Sequence, residues 1–198
     1  DTAIDYRHVL TSGGTNGHVV FDQAGSKELG VFDGAFSSTG YGASSLVNGW
    51  HHLVARGNGG QTSFWVNGIS VGTVNANVAS PVDTIGNLTG GFGRFTDKID
   101  DFRIYGRSLS DSEIADLYGS GNGDFGAHPY GTYSPIFDNS PEIKLPSNPI
   151  VHWTFDELNG TVVTDSSGVG NVGEAGSFSN LYLFSEVGRD GTALRFDG

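Results

Sequence analysis

Two groups of acidic and amide side chains offer the oxygen ligands that a calcium ion would need. The first is the loop from Asp165 to Asn171, where two side-chain oxygen donors surround glycines that let backbone carbonyls converge. The second centres on Asp100, which shares one side of a predicted strand with Phe102 and Ile104 and is therefore expected to point inward. Because Ca²⁺ takes roughly six to eight oxygen ligands, both groups are candidates for a structural calcium site.

The same residues also have an interpretation that needs no metal. Asp165 and Ser167 can form an Asx-type turn, and Asp100 can accept hydrogen bonds from backbone N–H groups. An unpaired carboxylate is costly to bury, so Asp100 needs a metal, N–H donors or an arginine beside it. The sequence leaves both interpretations open.

Four aromatic side chains are candidates for stacking on sugar rings. Sugar sites combine aromatic faces with polar neighbours. Trp65 stands two residues before the predicted turn Asn67-Gly68 and so near the rim of the fold, and core packing is its alternative role. The four candidates are Trp65, Tyr41, Tyr130 and Tyr133.

Composition argues against nucleic-acid and membrane partners. The formal net charge is −12, the isoelectric point is near 4.6, and nothing in the sequence offers a basic stripe for a phosphate backbone. No apolar stretch approaches the roughly 18 residues of a membrane-spanning helix. The acidic balance is compatible with cation binding, and a solvated acidic surface is the simpler interpretation.

Motifs for catalysis are missing as well. Glycoside hydrolysis needs two carboxylates at a set separation, and the glutamates of this chain are scattered. Asp97, Asp100 and Asp101 are clustered, but Asp100 and Asp101 alternate between strand faces. There is no Gly-x-Ser-x-Gly elbow or phosphate loop, and the absence of cysteine excludes thiol chemistry and disulfides. The sequence therefore predicts no enzymatic activity.

A strand, a turn and a short helix are predicted over residues 96–120, the stretch around which the chain is organised. Apolar and polar residues alternate through the strand. Ser110 and Glu113 stand three residues apart and predict a capping box at the start of the helix. Leu109 and Ile114 flank that cap and predict a hydrophobic staple.

Short strands separated by turns are predicted elsewhere in the first 120 residues. Three precede residue 47, with residues 36–42 interpreted as a turn because they are rich in Ser and Gly. Three more lie within residues 50–74, where Asn67-Gly68 predicts a type I′ hairpin turn. With glycine at 32 of 198 residues, the pattern indicates an all-β protein with many tight turns.

Several motifs resemble the laminin G-like, concanavalin A-like lectin family. The stretch "IDDFRIYGRSLSDSEIADLY" resembles its last strand and closing helix, and "NGWHHLVA" and "FWVNGISVG" resemble its middle strands. Three further stretches resemble the opening strands of that family: "VHWTFDELNG", "TDSSGVGNVG" and "TALRFDG". The resemblance implies a concanavalin A-like β-sandwich, or jelly roll, with one short helix. It also implies a structural Ca²⁺ and secretion or display at the cell surface.

The order of these motifs differs from that of the family, because the opening block lies at the C-terminal end. Residues 1–120 are expected to form the C-terminal-type block, 121–148 a linker, and 149–198 the N-terminal-type block. Either the domain is circularly permuted, or the chain is a slice across two neighbours of a tandem array. An edge strand and a central strand that the family would place between Gly198 and Asp1 are not found.

The two blocks are expected to close into one sandwich. In the family the first and last strands are neighbours, so strand 151–156 is expected beside strand 99–105, which places Asp156 near Asp100. Fifty residues cannot bury a stable core alone. The blocks join within one chain, or they are exchanged between chains to give dimers or filaments. The missing central strand would leave unpaired strand edges.

The expected function is that of a non-catalytic lectin-like module that binds glycan or an extracellular protein partner through rim loops. The alternative is a purely architectural repeat, a spacer or filament unit without a sugar ligand. Fold alone does not decide between them.

Overall fold

The structure of the chain is a computed structural model. It describes residues 6–12, 16–22, 27–46, 48–86, 95, 97–120, 146–157, 160–175 and 186–196. Tyr130, Tyr133, most of the predicted linker and residues 181–185 of a predicted strand lie outside these residues. Within the described ranges, no helix has both the length and the apolar character needed to cross a membrane.

The described chain is built from antiparallel strands, one short 3₁₀ helix at Ala43–Ser45 and one α-helix. The strands of the first block are β1 (Tyr6–Thr11), β2 (Gly17–Asp22), β3 (Glu28–Phe32), β4 (Phe36–Gly42), β5 (Leu53–Asn58), β6 (Gln61–Val66), β7 (Ile69–Val74), β8 (Thr84–Ile85), β9 (Lys98–Ile99) and β10 (Phe102–Tyr105), followed by α1 (Asp111–Ser120). Those of the second block are β11 (Pro149–Trp153), β12 (Val162–Val163), β13 (Gly173–Glu174), β14 (Glu186–Val187) and β15 (Thr192–Arg195).

Two sheets of the first block enclose the main core. One sheet has the order β4-β3-β2-β1-β8 and the other the order β5-β6-β7. Valines and leucines of β2 and β3 pack with Phe64, Val66 and Val74 of the second sheet, and the Phe64 side chain is fully buried. Removal of this apolar surface from water holds the two sheets together.

The β6–β7 hairpin has the turn that the sequence predicts. Asn67 and Gly68 have φ values of 51° and 75°, as a type I′ turn requires at both central positions. The Asn67 backbone N–H donates to the carbonyl oxygen of His52, and its side-chain oxygen accepts a hydrogen bond from the His52 N–H. The turn is thereby joined to the residues that lead into β5.

Residues 36–42 form β4 and not the turn expected from their Ser and Gly content. The strand pairs with β3, and the Thr39 hydroxyl donates to the carbonyl oxygen of Leu29 across the pair. The Ser38 hydroxyl donates to the Glu28 carboxylate, also across the pair. The prediction was wrong because these cross-strand contacts outweigh the local preference of Ser and Gly for turns.

The two blocks join through strand pairs within one chain. β10 pairs with β11 in antiparallel register, with Phe102 opposite Trp153 and Ile104 opposite Val151. β15 pairs with β9 in the same way. The pairing expected of these segments is therefore present.

The predicted strand 99–105 is divided into β9 and β10. Asp101 interrupts it with a φ of 52°, a left-handed conformation that breaks regular alternation. The Asp101 carboxylate lies 2.8 Å from the Arg103 guanidinium and 2.7 Å from Nε2 of His152 on β11. The break thus places an acidic group against the strand of the second block.

The α-helix carries the predicted capping box. The Ser110 N–H donates to Glu113 Oε2 over 2.8 Å, and the Glu113 N–H donates to the Ser110 hydroxyl over 3.2 Å. Leu109 and Ile114 are both buried and pack with Trp65, which is the arrangement predicted as a hydrophobic staple. The cap therefore fixes where the helix begins over the outer face of β6.

Replacement of the cap tests this arrangement. Ser110→Ala removes the hydroxyl that accepts the Glu113 N–H, and we expect the free energy of unfolding to fall by about 1 kcal/mol. Urea denaturation measures the loss. Ser70→Ala changes an exposed serine of β7 and serves as the control. Equal stability of the two variants would show that the cap contributes nothing to the docking of the helix.

Candidate functional site

The predicted calcium loop is organised by hydrogen bonds to one carboxylate. Asp165 Oδ1 accepts the backbone N–H groups of His152 and Ser167, both at 2.9 Å. Its Oδ2 accepts the Ser167 hydroxyl at 2.8 Å and the N–H groups of Gly170 and Asn171 at 3.0 and 2.8 Å. Five donors therefore surround the two oxygen atoms of this single side chain.

These donors leave no room for a calcium ion on Asp165. A carboxylate offers about four lone-pair sites, and N–H groups turn their positive ends toward the oxygen atoms. The amide nitrogen of Asn171 donates to the Ile150 carbonyl oxygen over 2.8 Å, so this residue also ties the loop to β11. The loop has the metal-free Asx-type arrangement, and its side chains do not fit a calcium site.

The pKa of Asp165 reflects this environment. Partial burial of the carboxyl opposes ionisation, but hydrogen bonds from His152, Ser167 and Asn171 outweigh that effect and hold the pKa well below its usual range. The charged form of the carboxylate is thus the form that the fold selects.

Asp100 instead caps the turn at residues 188–191. Its Oδ2 accepts the N–H groups of Arg189 and Asp190 at 2.7 and 3.0 Å. Burial raises the pKa of Asp100 to about 6, although these backbone hydrogen bonds lower it in part. Asp100 therefore points inward as expected, and N–H donors compensate its charge.

Asp156 holds the same turn from its other end. Its Oδ1 accepts the Thr192 N–H over 2.9 Å. Gly191 has a φ of 71°, and a Cβ atom there would lie 2.0 Å from Asp156 Oδ1. The structure thus brings Asp100 and Asp156 to one turn, as the sequence predicted, and places Asp165 and Asn171 in another loop.

Trp65 lies beneath the helix and not at an open rim. Its side chain is 4% exposed, packs with Leu109 and Ile114, and is covered by the Arg56 guanidinium 4.2 Å above its ring. A sugar ring cannot reach it. Tyr41 is half-buried and packs against the core between the two sheets. The position of Trp65 matches the core-packing alternative.

A cleft of about 1190 Å³ opens between the first sheet, β5 and the segment 97–109. β1 and β2 contribute apolar side chains, among them Val9 and Phe21. One end is crossed by two hydrogen bonds, from the Ser108 hydroxyl to the Gly57 carbonyl oxygen and from Arg56 to that of Leu109. Trp50, His51 and His52 also line the cleft.

These residues form a rim cluster that was not expected from the sequence; we define it as Trp50, His51, His52, Asn67 and Tyr118. The Asn67 amide lies 3.1 Å from Nδ1 of His51, and because an amide nitrogen only donates, that ring nitrogen accepts. The rings of His52 and Tyr118 lie 6.0 Å apart. Burial and the nearby Arg103 and Arg189 lower the pKa of His52 to about 4, so the ring is neutral at pH 7.

The sequence offered one usable signal for this cluster. Two histidines follow a tryptophan directly in "WHH", and the Asn67-Gly68 turn lies at the end of the neighbouring hairpin. Histidines are common metal ligands, but a metal site here would need a third partner at a suitable distance. Within the part of the chain that the structure describes, no group of three or more acidic or histidine side chains is arranged to hold a metal.

The family described as the concanavalin A-like lectin/glucanases superfamily matches residues 2–115. That match covers more than half of the 198 residues. The chain belongs to this superfamily. The sheets described above are those of its β-sandwich fold.

One solved structure supports the fold of this superfamily member, and a second has a weaker similarity. A protein from Bacteroides ovatus, described as a candidate carbohydrate-binding protein, is 17% identical with a TM-score of 0.56; the similarity covers 90% of this chain and 51% of that one. An S-layer domain-containing protein from Clostridium thermocellum is 22% identical with a TM-score of 0.32. The similarity covers 55% of this chain and 64% of that one. The chain thus spans about half of the Bacteroides protein. No curated protein matches it in sequence.

Replacement of Asp165 tests the hydrogen-bonded loop. Asp165→Asn directs an amide N–H group at N–H donors, so we expect the melting temperature at pH 7 to fall by several degrees. Because the folded-state pKa is lowered, the advantage of the native residue is present above the ordinary value of 3.8 and is lost as the pH falls below it. Melting curves of both proteins should therefore converge in acid.

Asp190→Asn provides the matched control, since it removes the same charge from an exposed position. Two results would contradict the assignment: an Asp165→Asn melting temperature equal to that of the control, or a difference that persists unchanged below pH 3.8.

Proposed function

We propose that this chain is a non-catalytic carbohydrate-binding module of a secreted or cell-surface protein, and that the rim cluster contacts the glycan. The observation that carries the proposal is that Trp50, His51 and His52 line the cleft, while Asn67 and Tyr118 lie beside the two histidines. Membership of a superfamily of lectins and glucanases supports it.

The chemistry of the cluster suits a sugar. Sugar rings present apolar C–H faces edged by hydroxyl groups, which aromatic rings and neutral hydrogen-bonding side chains can contact together. Asn67 and His52 are held in place by their mutual backbone and side-chain hydrogen bonds. A cluster fixed in this way binds with little loss of side-chain entropy.

The acidic residues of the cleft support a binding role without catalysis. Asp100 accepts two backbone N–H groups, and Asp101 is paired with Arg103 and His152. Glycoside hydrolysis needs one carboxyl to protonate the leaving group and a second to act as base or nucleophile. Carboxylates that are engaged in these structural contacts do not supply such a pair.

The Bacteroides ovatus protein is in line with the proposal. It shares the fold at low identity and is described as a candidate carbohydrate-binding protein. The alternative that we retain is an architectural repeat, which would bind protein partners or copies of itself through exchanged blocks and would have no sugar ligand.

A glycan array tests the module. We expect reproducible binding to a subset of glycans, and Trp50→Ala should weaken the affinity for these at least tenfold, about 1.4 kcal/mol, because it removes the aromatic face. Trp65→Phe is the matched control: this ring is buried, so the substitution should leave binding intact. Silence across the array, together with concentration-dependent assembly in light scattering, would favour the architectural repeat.

We further propose a structural calcium ion, at the 188–191 turn and not at the 165–171 loop. Asp156 uses Oδ1 for the hydrogen bond described above, which leaves Oδ2 for a cation. Asp100 accepts the N–H groups of Arg189 and Asp190 through Oδ2 and also that of Asp101, so it would contribute to the cation through a remaining lone pair. Backbone carbonyls and water would have to supply the remaining ligands. These oxygen ligand types support the proposal.

Thermal unfolding tests this part of the proposal. We expect calcium chloride to raise the melting temperature relative to EDTA, and the rise to grow as the pH passes about 6, because the metal needs the deprotonated form of Asp100. Asp100→Asn should abolish the response, whereas Asp165→Asn should keep it. Identical curves of the native protein in calcium and in EDTA would exclude the ion.

A further inference from the structure

The side chain of Asn67 has only one possible orientation in the rim cluster. The backbone N–H of His52 donates to this side chain over 3.0 Å, and such a donor must meet the amide oxygen. The amide nitrogen of Asn67 therefore faces Nδ1 of His51, 3.1 Å away. Because the amide nitrogen only donates, Nδ1 of His51 carries a lone pair, and the neutral ring holds its proton on Nε2.

The turn that carries Asn67 is fixed from two sides. The φ of 51° at Asn67 belongs to the type I′ turn, and its backbone N–H donates to the carbonyl oxygen of His52 over 2.8 Å. A Cβ atom at Gly68 would lie 2.9 Å from the ring of Tyr118, so α1 closes against the hairpin. If the contact between the amide and His51 breaks, the histidine ring moves and the turn stays.

Protonation of His51 breaks this contact. An imidazolium has an N–H group at both ring nitrogens, so Nδ1–H would point at the N–H groups of the Asn67 amide. One hydrogen bond is lost, and two donors are left facing each other. The ring of His51, which lines the cleft together with Trp50, must then turn away. Histidine is the side chain whose charge ordinarily changes between about pH 5 and 8, so the contact is sensitive to mild acid.

The neighbouring histidine does not change its charge in the same range. Burial, Arg103 and Arg189 lower the pKa of His52 to about 4, and Asp101 acts in the opposite direction. His52 therefore stays neutral between about pH 5 and 7. The change in charge within the histidine pair over this range belongs to His51.

The other groups around the pair are engaged or uncharged. Asp101 forms ion pairs with Arg103 and with His152. The hairpin turn contributes the amide of Asn67, and α1 contributes the phenol of Tyr118. The group that meets Nδ1 of His51 is thus a donor, which suits the neutral ring and not the charged one.

We infer that the rim cluster is acid-sensitive: the Asn67 amide holds the neutral ring of His51 in place near neutral pH, and protonation of that ring releases it, so that glycan affinity falls in mild acid. This inference rests on the glycan-binding function proposed for the same cluster. Asn67 is a positioning residue, because it acts on the ligand through His51.

Asn67→Asp isolates the contact. The carboxylate keeps the shape of the side chain, one oxygen still accepts the His52 N–H, and Asp-Gly also favours a type I′ turn. Its second oxygen accepts a proton-bearing Nδ1, so the neutral and the charged ring of His51 are both held. From about pH 7.5 to about pH 5, we expect the glycan affinity of the native protein to fall about fivefold, as for one lost hydrogen bond, and that of Asn67→Asp to change less than about twofold.

Affinity is measured on an array of neutral oligosaccharides, read over a series of protein concentrations at both pH values in EDTA, so that calcium does not contribute. Asn58→Asp is the matched control, because it makes the same change in another Asn-Gly pair, at an exposed position at the opposite end of β5. It should keep the native pH dependence. Equal acid sensitivity of the native protein and Asn67→Asp would overturn the inference, and so would native binding that is unchanged in acid.

NMR of the histidine ring nitrogens tests the contact without any sugar. In the native protein near pH 7.5, Nδ1 of His51 should give the signal of an unprotonated nitrogen, whereas in Asn67→Asp it should carry the proton. A proton on Nδ1 in the native protein would overturn the inference. An array that stays silent while the native ring signals are as expected would overturn the proposed function, and with it the release of glycan, but would establish the acid-sensitive contact.

Discussion

The antiparallel pair of β10 and β11 is the contact on which the rest of the structure depends. It joins segments that are about 50 residues apart in sequence, and it sets the registers of Ile104 with Val151 and of Phe102 with Trp153. The second block has only short strands of its own, and its buried Phe155 packs in one cluster with Phe102. A segment of this size cannot bury enough apolar surface to fold by itself. The pair with β10 therefore provides the surface on which the second block becomes ordered.

Polar contacts complete this junction where apolar burial ends. Asp101 leaves the regular strand conformation and reaches His152 on β11, while Asp100 turns the other way to cap the 188–191 turn. The Asp165 carboxylate accepts a hydrogen bond from the backbone N–H of His152, which joins its loop to the same strand. A buried carboxylate is costly unless donors surround it. Each of these carboxylates instead holds a strand or a loop of the second block in place.

Local signals in the sequence predicted the parts of the fold that local interactions decide. The cap of Ser110 with Glu113 and the Asn67-Gly68 turn require only neighbouring residues, and both are confirmed. Tertiary contacts decided the rest: β4 forms because β3 supplies its partners, and Trp65 is buried because the helix covers it. The rim cluster was missed for the same reason, since its members come from three separate elements. The residue periodicity of one element carries no information about contacts between side chains of different elements.

The same division between local and tertiary effects applies to β5 and β10, each of which has one partner among the described strands. That single partner satisfies their local turn and pairing preferences, so local signals do not determine what lies along the other edge. Sheets avoid unpaired edges because exposed N–H and C=O rows invite pairing with other chains. Lysine and arginine side chains line the cleft beside the edges of β5 and β10, and charged side chains at a strand edge hinder its pairing with another sheet.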